Sequence, residues 1–149
     1  MADLKQFLEL LNPLPGNHYL QVCRCEDDIT TELKSLMENV DGVLNLALYN
    51  EDNLDLSQPF RALPRNHDLV ILKDVLNAHK NQKMILKLSY TTLANTAHII
   101  IIEKKGVMDI EALKTTLEEF EFRAPNEIDI LDGYDLVMAK KMHMWGNGL

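Results

Sequence analysis

Short runs in which nearly every residue is apolar recur along the chain and predict strands. Consecutive apolar positions are typical of a strand that is covered on both faces, as in parallel sheets. The strongest run is Ile99 to Ile102, which ends at Glu103. The strands predicted in this way cover residues 19–23, 43–49, 68–72 and 98–102.

Between these runs, apolar residues three or four positions apart predict helices. Residues 3–11 carry such a stripe, and Asp3 is placed to cap the helix. The acidic run Glu26-Asp27-Asp28 precedes the second helix, where the helix dipole favours negative charge. Asp109 is placed to cap the last helix. The remaining helices are predicted at residues 29–40, 80–93 and 110–120.

The end of the chain predicts an antiparallel hairpin. Residues 128–131 and 134–138 are mostly apolar, and Asp132-Gly133 between them is a strong signal for a two-residue turn. Residues 50–58 are polar without a period and predict a loop, whereas residues 60–63 predict a short strand. Alternation of strands and helices predicts an α/β domain with a mostly parallel sheet, right-handed crossovers, helices on both faces and this hairpin at its end.

Length and composition fit a single domain over residues 1–149, since 46% of the 149 residues are hydrophobic and 26% are charged. The formal net charge of −8 argues against a nucleic-acid partner, because phosphates are repelled by an acidic surface. No apolar run approaches the roughly 20 residues that cross a bilayer, and the first residues carry no secretory signal. We therefore expect a cytoplasmic protein, without a membrane partner, whose two cysteines are free thiols on one face of the first strand.

Three stretches carry recognisable motifs. Residues 66–79 hold a strand that runs into Asp-Val-Leu-Asn-Ala-His, and residues 61–64 (Arg-Ala-Leu-Pro) stand just upstream. Residues 97–105 hold a strand that ends in an acidic and a basic residue, and residues 113–140 hold a helix, a Phe-Glu-Phe corner and paired strands. In this order they resemble the fourth strand, the fifth strand and the closing segment of class I methyltransferases that use S-adenosylmethionine. The resemblance implies the Rossmann-like fold of that family.

The resemblance also implies a cofactor site at the carboxyl ends of the strands, where the sequence departs from the family. A family member has a G-x-G-x-G loop after its first strand, because glycine lets the backbone approach the cofactor closely. An ungapped match places Cys23, Cys25 and Asp27 at the three glycine positions, so the motif is degenerate. The position of the family's ribose-binding acidic residue falls near Tyr49-Asn50, and Glu51 and Asp52 lie just beyond it and could substitute after a small shift.

The segment after the predicted fourth strand supplies the remaining candidates. Lys73 is a candidate contact of S-adenosylmethionine, together with the residues named above. Asp74 and His79 are candidate catalytic groups, since Asp accepts a proton and His acts as an acid or base near neutral pH. Asp74 is also placed to cap the turn before the next helix. Methyl transfer itself often needs little beyond positioning.

The cysteines and the acidic run also have simple structural explanations. Two thiols supply half of a tetrahedral zinc shell, so we expect Cys23 and Cys25 to be inert and no metal to be bound. Glu26-Asp27-Asp28 could bind the ammonium of an amino-acid-like ligand or a divalent cation, but helix capping is the simpler explanation.

Two functions from different classes follow. The degenerate loop favours a non-catalytic domain that serves as a binding or oligomerisation module. The alternative is an active small methyltransferase with a divergent loop, which requires Cys23, Asp27, Glu51 and Asp74 to face one cavity. The tail at residues 142–149 contains Met and Trp beyond the last predicted strand. It is a candidate surface for a second copy of the chain or another protein, and packing on its own domain is the alternative.

Overall fold

The computed structural model describes residues 4–49, 63–79 and 81–142. Within these ranges the chain forms four helices and six strands. The helices are α1 (Lys5–Leu11), α2 (Asp28–Asn39), α3 (Gln82–Thr92) and α4 (Ile110–Glu119). The strands are β1 (His18–Cys23), β2 (Val43–Leu48), β3 (His67–Lys73), β4 (Leu93–Lys104), β5 (Phe122–Glu127) and β6 (Tyr134–Lys141).

The strands form one sheet in the order β2-β1-β3-β4-β6-β5. β1 pairs in parallel with both β2 and β3, and β3 pairs in parallel with β4. β6 runs antiparallel between β4 and β5. The predicted mostly parallel sheet with an antiparallel end is therefore confirmed. The strand order reverses between β1 and β3, and open α/β sheets bind ligands at the carboxyl ends of the strands at such a point.

Helices cover both faces of the sheet, as predicted. Leu86 of α3 and Leu117 of α4 pack into the core of one face, called the α3–α4 face below. Phe7 of α1 and Leu33 of α2 pack into the core of the other, called the α1–α2 face. Each of these side chains is fully buried, which contributes roughly 1.5–3 kcal/mol per residue. No helix in the described part of the chain is both long and apolar enough to cross a bilayer.

The C-terminal hairpin differs from its prediction. Its first strand is β5, which follows α4 closely, and residues 128–133 form a connection instead of a strand. Asp132-Gly133 does form a turn, since the N–H of Tyr134 donates to the carbonyl of Leu131 at 3.2 Å and Gly133 has a φ of +80°. The reason for the difference is packing, because Leu131 is buried in the core of the α1–α2 face and draws the connection away from the sheet edge.

Two other strands also differ from expectation. β4 begins at Leu93 directly after α3, so no loop separates this helix from its strand. β2 was expected to be covered on both faces, but Val43 is 40% and Leu48 is 49% exposed because β2 lies at the edge of the described sheet.

α1 has Leu4 as its N-cap residue, without a side-chain cap. The predicted loop at residues 50–58, most of the strand at 60–63 and the tail from residue 143 lie outside the described residues.

A buried histidine ties elements together at the amino edge of the sheet. His67, which the sequence presents as an ordinary strand-end residue, is 4% exposed. Its Nδ1 lies 2.8 Å from Oγ1 of Thr92, and its Nε2 lies 2.8 Å from Oδ1 of Asn45. Burial lowers the pKa of His67 to about 4, with a further lowering from His18 and an opposing effect of Asp68. The uncharged ring therefore joins β3 to both α3 and β2.

Candidate functional site

The loop after β1 enters α2 through a reciprocal pair of hydrogen bonds. The N–H of Thr30 donates to Oδ1 of Asp27 at 3.2 Å, and the N–H of Asp27 donates to Oγ1 of Thr30 at 3.2 Å. These bonds form a capping box, which satisfies N–H groups that a helix leaves without partners. The capping explanation for Asp27 is thereby confirmed.

Lys73 at the end of β3 joins the two sides of the gap between β1 and β3. Its Nζ lies 2.8 Å from Oδ2 of Asp27 and 3.0 Å from Oδ2 of Asp74. The side chain of Lys73 is 10% exposed, and those of Asp27 and Asp74 are 27% and 28% exposed. The ring of Tyr134 lies against the ammonium group, with 4.9 Å from Nζ to the ring centroid. We call Asp27, Lys73, Asp74 and Tyr134 the Lys73 cluster.

The interactions within the Lys73 cluster keep Lys73 protonated and Asp27 ionised. Burial alone would lower the pKa of Lys73, but its hydrogen bonds to Asp27 and Asp74 outweigh burial and raise that pKa above its ordinary value. Burial alone would raise the pKa of Asp27, but hydrogen bonds from Lys73 and Thr30 hold that pKa below its usual range. Lys73 is therefore a fixed cation near neutral pH and not a candidate general base.

A residue that directly follows β1 also holds the turn after β3. Nε of Arg24 donates to the carbonyl of Asp74 at 2.9 Å, and the N–H of Asp74 donates to the carbonyl of Ile102 at 2.9 Å. Asp74 has a φ of 56°, in the left-handed region that few residues besides glycine adopt but that Asp tolerates. The backbone of Asp74 thus shapes the turn while its carboxylate binds Lys73.

On the α3–α4 face a second contact reaches across the end of β1. Tyr49 follows β2 and is buried, and its hydroxyl oxygen lies 2.9 Å from Nε2 of His79. The N–H of Asn81 donates to Nδ1 of the same histidine at 2.9 Å. The N–H of Tyr49 donates to the carbonyl of Cys23 at 2.8 Å. Burial raises the pKa of Tyr49 to about 12, so its hydroxyl stays neutral. Because β1 lies between β2 and β3, the Tyr49–His79 pair closes over the end of β1.

The two cysteines are free thiols in different surroundings. Cys23 is buried, and burial together with the negative charge of Asp27 raises the pKa of its thiol to about 11. A thiol rather than a thiolate is a poor nucleophile and metal ligand. Cys25 is exposed and lies beyond the end of β1, so the predicted common strand face is wrong. No group of three or more His, Cys, Asp and Glu side chains in the described part of the chain is arranged to hold a metal.

The structure brings together some of the predicted site residues and separates others. Asp27, Lys73 and Asp74 meet in the Lys73 cluster. His79 lies on the α3–α4 face, and both of its ring nitrogens are bonded within the protein. Asn50 and Glu51 lie outside the described residues. The roles predicted for these residues in cofactor binding and catalysis stay predictions.

Three residues at this edge were not predicted as site residues. Arg24 stands between the two cysteines, and Tyr49 stands just before the expected ribose-binding acid. Glu103 lies next to the end of β4, directly after the most apolar run of the chain, and this position was a usable signal because the carboxyl ends of parallel strands meet at one edge of a sheet. No local pattern indicates that Tyr49 contacts His79, because the two residues belong to different elements.

Several cavities lie at this edge. One on the α1–α2 face has a volume of about 200 Å³ and is lined by Asp27, Lys73 and Tyr134, among others. Two on the α3–α4 face have volumes of about 150 and 280 Å³, and Asp74 lines the larger of these. Asp27 and Asp74, which an active enzyme was expected to direct at one space, therefore line different cavities.

Comparison with solved structures finds proteins of similar fold, whereas comparison of the sequence finds no match. The sequence matches no protein-family model, and no curated protein matches it significantly. A SAM-dependent methyltransferase from Aquifex aeolicus superposes with a TM-score of 0.67 at 14% identity, over 94% of this chain and 90% of that chain. The CMeT domain of the citrinin polyketide synthase superposes with a TM-score of 0.68 at 12% identity, over 93% of this chain and 51% of that one.

A third similar structure contains S-adenosylhomocysteine. Phosphoethanolamine N-methyltransferase 2 of Haemonchus contortus, in complex with phosphomonomethylethanolamine and S-adenosylhomocysteine, superposes with a TM-score of 0.64 at 8% identity. The match covers 93% of this chain and 52% of that chain, so this chain spans about half of its length. The chain therefore has the Rossmann-like fold of class I S-adenosylmethionine-dependent methyltransferases. Fold similarity at such identities leaves activity to be argued from the site.

Proposed function

We propose that this domain is a non-catalytic, methyltransferase-like binding module that does not hold S-adenosylmethionine in the manner of the family. The observation that carries the proposal is the Lys73 cluster. At the last of the three glycine positions the chain has Asp27, whose carboxylate bonds to Thr30 on one side and to Lys73 on the other. This side chain holds the loop after β1 against the end of β3.

The residues present do not fit a cofactor that lies against a glycine loop. Such a loop works because it has no side chains to keep the ligand away. Moving Asp27 aside would open the capping box of α2 and remove one of the two carboxylates that hold Lys73. The buried Tyr49–His79 pair fills space over the end of β1 on the other face. We derive no methyl-transfer step for this chain.

The partner that we propose is a protein, either a second copy of this chain or another chain, which contacts the tail at residues 142–149. Met142 is exposed, and the sequence beyond it adds Met144 and Trp145, which are residue types enriched in interfaces. The net charge of −8 makes a nucleic acid an unfavourable partner.

The alternative is an active methyltransferase with a divergent loop. One observation favours it, because Asp74 lines a cavity of about 280 Å³ at the carboxyl edge of the sheet. That function requires the Lys73 cluster to separate when the cofactor enters. It therefore predicts saturable binding of S-adenosylmethionine, whereas our proposal predicts none.

The test is calorimetric titration of the full chain with S-adenosylmethionine and S-adenosylhomocysteine, together with thermal unfolding at each ligand concentration. We expect neither saturable heat nor a shift in Tm at about 1 mM ligand, where a Kd of about 1 µM would be obvious. A methyltransferase of known affinity serves as the positive control, and a cooperative melting transition shows that the chain is folded. Saturable micromolar binding would overturn the proposal and direct attention to the alternative.

A further inference from the structure

At the carboxyl edge of the sheet, two cavities adjoin at Glu103. The smaller, of about 150 Å³, lies between α3, α4 and β4. The larger, of about 280 Å³, lies over the ends of β1, β3 and β4. Asn77 and Glu103 line both cavities, so the two adjoin, and together we call them the Glu103 cleft.

Glu103 is a buried carboxyl group that forms no direct ion pair with any residue in the described part of the chain. It is 4% exposed, and its Oε2 accepts the N–H of Asn77 at 3.2 Å. Within the described ranges no residue donates a hydrogen bond to Oε1 or forms an ion pair with this side chain. Burial raises the pKa of Glu103, and the charge of Asp74 adds to that effect. The Asn77 hydrogen bond and the positive charges of Arg24 and Lys73 oppose it without outweighing it. A buried carboxylate that no direct ion pair compensates is costly, so a ligand that brings a positively charged donor would be stabilised here.

The smaller cavity is apolar on most of its wall. A group as large as benzene fits into an apolar cavity of about 150 Å³, which is also the size of a branched aliphatic or aromatic side chain. The polar residues Gln82, Asp109 and Thr116 complete the wall. The apolar lining consists of Leu76, Leu86, Ile101, Met108, Ala112 and Leu113.

The larger cavity carries charges of both signs. Asp74 and Glu103 are acidic, whereas Arg24 and Lys104 are basic. Arg24 uses Nε to bind the carbonyl of Asp74, and no described residue bonds to its two terminal amino groups. A guanidinium group binds a carboxylate well, and paired charges in a partly dry site favour a ligand with both signs.

We propose that the Glu103 cleft binds a free α-amino acid with an apolar side chain. The ammonium group contacts Glu103, the carboxylate contacts Arg24 and Lys104, and the side chain enters the apolar cavity. The inference deepens the proposed function by naming a small ligand of the binding module, and it rests on that function in assigning the chain a binding role rather than methyl transfer.

The first experiment is titration of the full chain with L-leucine and L-phenylalanine, followed by calorimetry and thermal unfolding. Two analogues of leucine separate the charged groups, since 3-methylbutylamine lacks the carboxylate and 4-methylpentanoate lacks the ammonium. We expect saturable binding of the amino acids, a rise in Tm, and at least about tenfold weaker binding of each analogue. The proposal is overturned by the lack of saturable binding at about 10 mM amino acid, or by an analogue that binds as well as leucine.

Variants locate the site. Glu103→Gln keeps an acceptor for the Asn77 N–H but removes the charge, and it should weaken amino-acid binding at least about tenfold. Ala112→Phe on α4 narrows the apolar cavity that Ala112 lines and should weaken binding similarly. Glu119→Gln, at an exposed position of the same helix, is the matched control and should leave binding unchanged. Circular dichroism verifies folding, and unchanged binding in both cleft variants would place the ligand elsewhere.

S-adenosylmethionine itself contains an α-amino acid group, so its titration is repeated on Glu103→Gln. Weak binding that leucine displaces and that Glu103→Gln loses belongs to the cleft and supports the inference. Binding that persists in Glu103→Gln overturns the proposed function, whereas failure of leucine to bind overturns the inference alone.

Discussion

Acidification should destabilise this fold through His67, which lies at the amino edge of the sheet. A neutral imidazole offers one donor and one acceptor, and its two partners match that pattern when Nε2 donates to Oδ1 of Asn45 and Nδ1 accepts from the Thr92 hydroxyl. A protonated ring donates from both nitrogens, so the Thr92 hydroxyl would have to turn and a charge would be buried. The folded state therefore resists a proton that the unfolded state accepts.

The magnitude follows from the two pKa values. Burial lowers the pKa of His67 to about 4 in the folded state, and the value in the unfolded chain is about 6.5. Above about pH 6.5 the ring is neutral in both states, so stability is unaffected. As the pH falls from about 6.5 to about 4, only the unfolded state gains a proton and the free energy of unfolding decreases. At about 1.4 kcal/mol per pH unit, the loss amounts to about 3 kcal/mol.

The assay is urea denaturation of the wild type and of His67→Gln at a series of pH values from about 7.5 to about 4. The glutamine variant carries no titrating group at this position and should start about 1 kcal/mol less stable because it loses hydrogen bonding. Its stability should then fall less steeply, so that the two curves approach and cross as the pH is lowered. Parallel curves over the whole range would show that the folded and unfolded states protonate His67 alike and would refute the argument.

The other predictions concern the Lys73 cluster and β1. Lys73→Met should lower the free energy of unfolding by about 2 kcal/mol, because two partly buried carboxylates lose their cation. Lys34→Met removes an exposed pair with Glu26 and should cost less than about 1 kcal/mol. Equal losses in urea denaturation would contradict a structural role of Lys73. Gln21→Met should raise the free energy of unfolding by about 1–2 kcal/mol, because both polar atoms of the buried Gln21 side chain lack a hydrogen-bond partner among the described residues. A lower denaturation midpoint for this variant would show that the amide has a partner.

The sequence predicted elements whose signal is local. Runs such as Ile99–Ile102 placed the parallel strands, since a strand covered on both faces is apolar at every position. The turn at Asp132-Gly133 was found for the same reason. The preceding strand was misplaced, because the burial of Leu131 under the α1–α2 face decides the path of that segment.

The candidate site was only partly predictable, because its contacts join distant parts of the chain. The sequence placed Asp27, Lys73 and Asp74 at the same edge of the sheet, but it gave no indication that one lysine bridges both acids. His67 shows the same limit, since nothing beside it in sequence indicates partners on β2 and α3.

The bonds across the gap between β1 and β3 have a consequence for how this domain responds to its surroundings. A protein that binds a ligand at such a gap gains stability from it, by about 2.7 kcal/mol when the ligand is at a hundred times its Kd. Such a protein becomes easier to unfold and degrade when the ligand is scarce. Here Lys73 and Arg24 make the connection with groups of the chain itself. We expect the lifetime of the domain to be independent of the supply of S-adenosylmethionine.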